Sequence, residues 1–185
     1  MWLRRKLQRL SGTVADFFAV LQLPVACEVD GRQLEHNYRE LQARWHPDRF
    51  VAAPQAEKLA AVQQASLLND AYATLKSPLA RAGHLLQLQG CDPAGHDQRD
   101  LEPAFLLQQM RLRDALEELA GDRDEDGLRG LLDSVEGERR ALWQAFSAAI
   151  ASKDLQLARR TYYKLQFMVK LLDEIRAVED RLLGY

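Results

Sequence analysis

Residues 32–50 read RQLEHNYRELQARWHPDRF, an amphipathic pattern that stops on a proline. Leu34, Tyr38, Leu41 and Trp45 recur at spacings of 4, 3 and 4, one stripe at the helical period. Asp30-Gly31 precedes the pattern. Pro47 disfavours helical backbone in the residue before it, His46, so the helix is predicted to end at about Trp45. That explains the proline but not the His46 and Asp48 on its two sides. On the face opposite the apolar stripe, Arg32, His36 and Arg39 fall at spacings of 4 and 3 and form a basic ridge running towards His46-Pro47-Asp48.

Working outward, helical patterns fill the chain. Asp16-Phe17-Phe18 opens a short helix that ends near Leu23-Pro24. A helix over 55–76 carries Val62, Ala65, Leu68, Tyr72 and Leu75 on its predicted buried stripe, and Ser77-Pro78 punctuates it. Leu79 to Gln89 forms a further helical stretch. The best boundary is Gly90-Cys91-Asp92-Pro93-Ala94-Gly95. Three more helices follow. The first, over 102–120, has Pro103 at a tolerated first-turn position. Gly121 to Gly127 reads as a polar turn. The second carries Leu128, Leu132, Val135, Leu142 and Phe146, with Gly130 and Gly137 weakening it, and ends near Ser152. The third starts at Lys153 or Asp154, runs to Leu183, and has Ala158, Tyr162, Leu165, Val169 and Leu172 as its stripe. No segment shows sustained β alternation, so the fold class is all-α. A helical hairpin domain over 14–90 precedes a linker over 91–101 and an antiparallel three-helix bundle over 102–185.

Composition excludes several classes. The chain has 185 residues, and no run of 18 apolar residues offers a membrane span. Net charge is −2, unevenly split: residues 1–88 hold 11 Lys/Arg and 8 Asp/Glu, whereas residues 89–185 hold 14 and 19. Opposite signs suggest two domains with different partners, while the overall balance favours neither nucleic acid nor membrane. Cys27 and Cys91 stand alone, which argues against a zinc site or disulfide scaffold and fits a reducing compartment. Residues 1–13 are a basic extension, too charged for a secretory signal. The expected location is cytoplasmic, with the mitochondrial matrix as the alternative.

His46 and Asp48 could in principle serve hydrolysis as base and orienting group. No G-x-S-x-G and no metal-spaced His pair accompanies them, and His84 and His96 lie far along the chain. An exposed tripeptide between helices suits a contact surface better than a pocket, so no catalytic residue, metal or cofactor is expected.

His46-Pro47-Asp48 between two helices resembles the signature of the J-domain. Asp16-Phe17-Phe18 with Leu23-Pro24, Trp45 to Phe50, Gln55-Ala56-Glu57, Asn69-Asp70-Ala71-Tyr72, Leu75-Lys76-Ser77-Pro78 and Arg81-Ala82 extend the resemblance to the HscB type, the J-protein co-chaperones of iron–sulfur cluster assembly. It covers nearly all of 14–185, and the absence of extra N-terminal cysteine motifs matches the bacterial type. The resemblance implies stimulation of the ATPase of a DnaK/HscA-type chaperone, with Arg32, Arg39 and Arg49 joining His46, Pro47 and Asp48 in docking. It also implies that the bundle delivers an IscU-type scaffold protein as client.

The first bundle helix supports a partner face independently. Phe105, Leu112, Leu116 and Leu119 cluster within about 60° as its core side. Leu106, Leu107 and Met110 point away, on the side of Asp114, Glu117 and Glu118. The resemblance places the scaffold on Leu106, Leu107, Met110, Asp114 and Glu118, with Phe167 from the last helix. Leu106, Met110 and Phe167 are expected to form one exposed patch. Arg111 stands where the family commonly has an acid. A J-domain protein with a different client is the alternative.

Overall fold

A computed structural model describes residues 14–93 and 102–183. The basic extension over 1–13 and most of the linker lie outside the described residues. All regular structure among those described is helical. The chain divides into two compact units, 1–90 and 91–185.

In the N-terminal unit, α1 (Phe17–Val20) is a single turn with Asp16 as its cap. Helix α2 (Gly31–Trp45) begins where the Asp30 side chain accepts the N–H groups of Arg32 and Gln33. It ends at Trp45, as the proline dictates: His46 is extended, with φ −60° and ψ 129°. A short 3-10 helix (Pro47–Phe50) leads towards α3 (Gln55–Lys76). Tyr38 stacks on Tyr72 with centroids 4.2 Å apart, and its hydroxyl donates to Asn69 Oδ1 at 2.8 Å. These contacts fix the register of α2 against α3. Offset aromatic stacking of this kind adds about 0.5–1.5 kcal/mol to simple burial.

The buried stripe of α3 differs from the one expected. Ala61, Leu68, Ala71 and Leu75 are buried, while Val62 is 53% exposed. Ala61, Leu68 and Leu75 repeat every seven residues and so share one narrow line along the helix; Val62 lies about 100° round from Ala61. The small Ala61 and Ala71 make room for neighbours, which hydrophobicity alone does not signal.

Ser77 caps α4 (Pro78–Leu88), and Pro78 occupies its first turn, where a missing N–H costs nothing. Two buried polar residues of α4 hold the unit together. Arg81 donates from Nε to the Cys27 carbonyl at 2.8 Å and from Nη1 to the Leu75 carbonyl. His84 Nε2 accepts the Phe17 N–H at 3.1 Å, and its ring stacks on Phe17 at 4.5 Å. The resemblance-bearing Arg81 is thus a structural clamp on a loop and a helix end.

The bundle consists of α5 (Pro103–Asp122), α6 (Glu125–Ala151) and α7 (Leu155–Leu183). The expected turn over 121–127 shrinks to two residues. Arg123 adopts left-handed backbone at φ 55°, ending α5, and Asp124 immediately caps α6 by accepting the Gly127 N–H at 2.9 Å. Glu125 and Asp126 then sit in the first turn, where the helix dipole favours acids. An added Cβ at Gly127 would meet the Asp124 side chain and Leu119 Cδ2, so a larger residue there would have to displace both side chains. Gly130 and Gly137 remain helical with open space around them. Phe105, Leu116, Leu128, Val135, Met168, Leu171, Leu172 and Ile175 form the bundle core with Phe167. Leu132, Leu142 and Leu112 pack at its margin. Polar clips run between helices: Gln108 to Glu138 at 2.8 Å, and Arg176 to Glu136 at 2.9 Å.

Burial of His84 holds its pKa below the ordinary value, because the desolvated imidazolium is disfavoured. The unfolded chain therefore takes up a proton near pH 6.5 that the folded chain refuses. Stability should fall as pH drops below about 6.5, until the depressed folded pKa is reached. Urea midpoints across this range will show the slope. His84→Gln keeps an acceptor for Phe17 but cannot titrate, so its slope should be flatter; an unchanged slope would clear His84 of the effect.

Candidate functional site

Two surfaces emerge, one on each unit. On the first, the Pro47 constraint turns the chain outward at the end of α2. The His46 side chain then caps the 3-10 turn, with Nδ1 accepting the Asp48 N–H at 3.3 Å. The Asp48 carboxylate lies 3.5 Å from Nδ1, and the two side chains are 52% and 85% exposed. Trp45 and Phe50 stack nearly parallel at 6.0 Å, so the turn is closed by an aromatic pair. The tripeptide is therefore an ordered turn rather than an irregular loop. Arg49 folds back, its Nη1 donating to the Ala43 carbonyl at 3.2 Å.

Arg32, His36 and Arg39 are all exposed on α2, as the pattern implied. The ridge is not purely basic, however. Arg39 pairs with Glu35, and His36 lies 4.0 Å from Glu40. Glu35 and Glu40 lie four residues from Arg39 and His36, so a pattern followed along one sign of charge does not reveal the pairing. Exposed pairs at this spacing are worth about 0.3–0.5 kcal/mol, so they are readily exchanged. Nothing about His46 and Asp48 resembles a catalytic base held in a pocket; both face water.

The second surface lies on α5. Phe105 and Leu116 are buried, with Leu112 and Leu119 packed beside them, which is the core side the wheel assigned. Leu106, Leu107 and Met110 are 39%, 55% and 62% exposed. Asp114, Glu117 and Glu118 are exposed on the same outward side, as is Arg111.

Phe167 corrects the expectation of an exposed triad with Leu106 and Met110. It is only 9% exposed and belongs to the bundle core. Its ring meets Phe105 edge-on at 5.8 Å, and the Arg113 guanidinium lies 5.5 Å above its face. Phe167 does sit off the main stripe of α7, but α5 covers that side. A single-helix wheel cannot see a third helix. Arg113 and Lys164, both placed over phenyl rings, had no sequence signal beyond their charge.

Among the described residues no group of three or more His, Cys, Asp or Glu side chains could hold a metal. No described helix is long and apolar enough to cross a membrane.

The all-α chain thus carries a capped, solvent-facing His-Pro-Asp turn on one unit and a half-apolar helix face on a bundle. The family profile described as "HSCB C-terminal oligomerisation domain" matches residues 101–176. A co-chaperone protein HscB homologue from Aeromonas hydrophila is 40% identical over 168 residues, covering 90% of this chain and 98% of that protein. The solved chaperone HscB from Vibrio cholerae superposes with a TM-score of 0.80 at 38% identity, over 91% of this chain and 99% of that one. Human co-chaperone protein HscB gives a TM-score of 0.82 at 26% identity, over 90% and 83% of the two chains. This chain belongs to the HscB family of co-chaperones.

The burial pattern makes a direct test of the correction at Phe167. Phe167→Ala should destabilise the fold by about 3–5 kcal/mol, the range for emptying a buried phenyl site. Met110→Ala should change stability by less than about 0.5 kcal/mol. Denaturant midpoints on the two variants decide it; equal effects would mean that Phe167 is a surface residue after all.

Proposed function

We propose that residues 14–90 act as a J-domain that stimulates the ATPase of a DnaK/HscA-type chaperone, and that the bundle over 102–185 delivers an IscU-type iron–sulfur scaffold protein to it. Residues 91–101 link the two. The chaperone docks on His46, Pro47 and Asp48, with Arg32, Arg39 and Arg49 steering the approach. The scaffold docks on Leu106, Leu107, Met110, Asp114 and Glu118. The protein works as an adaptor in the cytoplasm and performs no bond chemistry of its own.

The single observation that carries this reading is the His46–Asp48 pair, ordered by a backbone cap yet open to solvent. A side-chain pair that stabilises no core and lines no pocket is available for a partner. The exposed ion pairs on α2 support steering rather than affinity, since charges of this kind govern encounter and orientation. On the bundle, Leu107 and Met110 leave apolar area in water, which marks a contact face more readily than a solvated one. Exposed Arg111 beside the acids favours a second reading, in which the same face receives a different client.

Single-turnover ATPase of a purified DnaK-type chaperone, with and without an IscU-type scaffold, tests both halves. Asp48→Asn should abolish stimulation while shifting stability by less than about 0.5 kcal/mol. Full stimulation by that variant would remove the J-domain reading. Leu107→Ala with Met110→Ala should weaken scaffold binding by about 2 kcal/mol or more, leaving scaffold-independent stimulation intact. Normal scaffold binding by the double variant would place the client elsewhere.

A further inference from the structure

Phe105 and Phe167 form an edge-to-face pair at the seam between α5 and α7, and a cation covers each ring. Lys164 lies 5.2 Å from the centroid of Phe105, and its ammonium is held by Glu102 at 3.2 Å. Arg113 lies 5.5 Å from the centroid of Phe167. No carboxylate pairs with Arg113 among the described residues, although Asp114 and Glu117 are near it in sequence. One cap is therefore tied down, and the other is held only by the ring beneath it.

The loose cap also borders the apolar face. Arg113 is three residues on from Met110 and seven from Leu106, so all three share one side of α5. Arg113 is itself exposed, on a long side chain with many rotamers. Resting on the client-face reading above, we infer that Arg113 is a movable cover over Phe167, and that it swings aside when the scaffold docks on Leu106 and Met110. The client face thereby gains the face of a phenyl ring that the free chain keeps under a guanidinium. Arg113 is a positioning residue in this scheme: it sets how often the complete apolar face is presented. A partner that needs the open form binds more weakly by the fraction of time the cover is closed. Arg113 thus selects for partners with an apolar side chain aimed at the ring, because only those recover the loss. Phe167 keeps its edge contact with Phe105 throughout, so opening needs no movement of the bundle core.

The test pairs a partner-free readout with a binding readout. Phe167 is replaced by 4-fluorophenylalanine, and the solvent-isotope shift of its fluorine resonance is measured in the full chain with Arg113 and with Arg113→Ala. Affinity for a purified IscU-type scaffold is measured by calorimetry for wild type, Arg113→Ala, Phe167→Leu and the double variant. Arg113→Ala should raise the isotope shift and tighten scaffold binding about two- to fivefold, the size of an exposed cation–π contact. In the Phe167→Leu background, which keeps most of the core bulk, that gain should vanish. An unchanged isotope shift would overturn the cover. A risen shift with weaker or unchanged affinity would overturn the gating role and make Arg113 a direct contact or a bystander. A risen shift with no scaffold binding even by wild type would overturn the client reading and leave the cover standing.

Discussion

The Pro47 ring denies His46 a helical conformation, and much of the N-terminal unit follows from that steric fact. Helix α2 must stop at Trp45. The chain turns through a 3-10 helix whose first turn tolerates the missing N–H, and α3 can then run back along α2. Only in that antiparallel pairing can Tyr38 stack on Tyr72 and reach Asn69. The same turn pushes His46 and Asp48 into water and uses the imidazole Nδ1 to order the peptide between them. Stop signal and proposed contact surface are one piece of backbone.

The two units spend their polar residues differently. In the N-terminal unit, the buried polar groups Arg81 and His84 are consumed internally, each satisfying backbone that no helix ladder reaches. Leaving such groups unmet would cost about 1–3 kcal/mol apiece, so these positions serve the fold and are closed to partners. The exposed ion pairs of α2 contribute little and can be exchanged. The bundle places its polar clips at helix seams, Glu138 with Gln108 and Glu136 with Arg176, which leaves the outward side of α5 free of such ties. Its apolar residues there are exposed without being excess core.

Helix assignments were legible because period and punctuation are local. The stripe Leu34, Tyr38, Leu41, Trp45 belongs to a helix whatever it packs against, and Pro47, Pro78 and Pro103 act on their immediate neighbours. The turn between α5 and α6 looks longer in the sequence than it is, for an equally local reason. Gly121 and the run of acids look like loop composition, but an Asp cap followed by acids is also how a helix begins. The side of α5 facing the core was legible, and so was its outward side, because Phe105, Leu112, Leu116 and Leu119 cluster on one side while Leu106, Leu107 and Met110 share the other with acids.

By itself the sequence determined the all-α class, the ends of α2, the exposed tripeptide and the outward apolar residues of α5. Each of these depends on backbone sterics or on the period of a single helix. Tertiary structure alone decided which residues of a helix with two packing sides are buried. Val62 is left in water while Ala61, Leu68 and Leu75, on a line about 100° round the helix, are buried. Phe167 is buried because α5 lies across a side of α7 that looks free on a wheel. The Arg113 cover depends on the same crossing, since it joins residues of two helices separated in sequence by the whole of α6. Burial is a property of the space between elements, and a sequence pattern describes one element at a time.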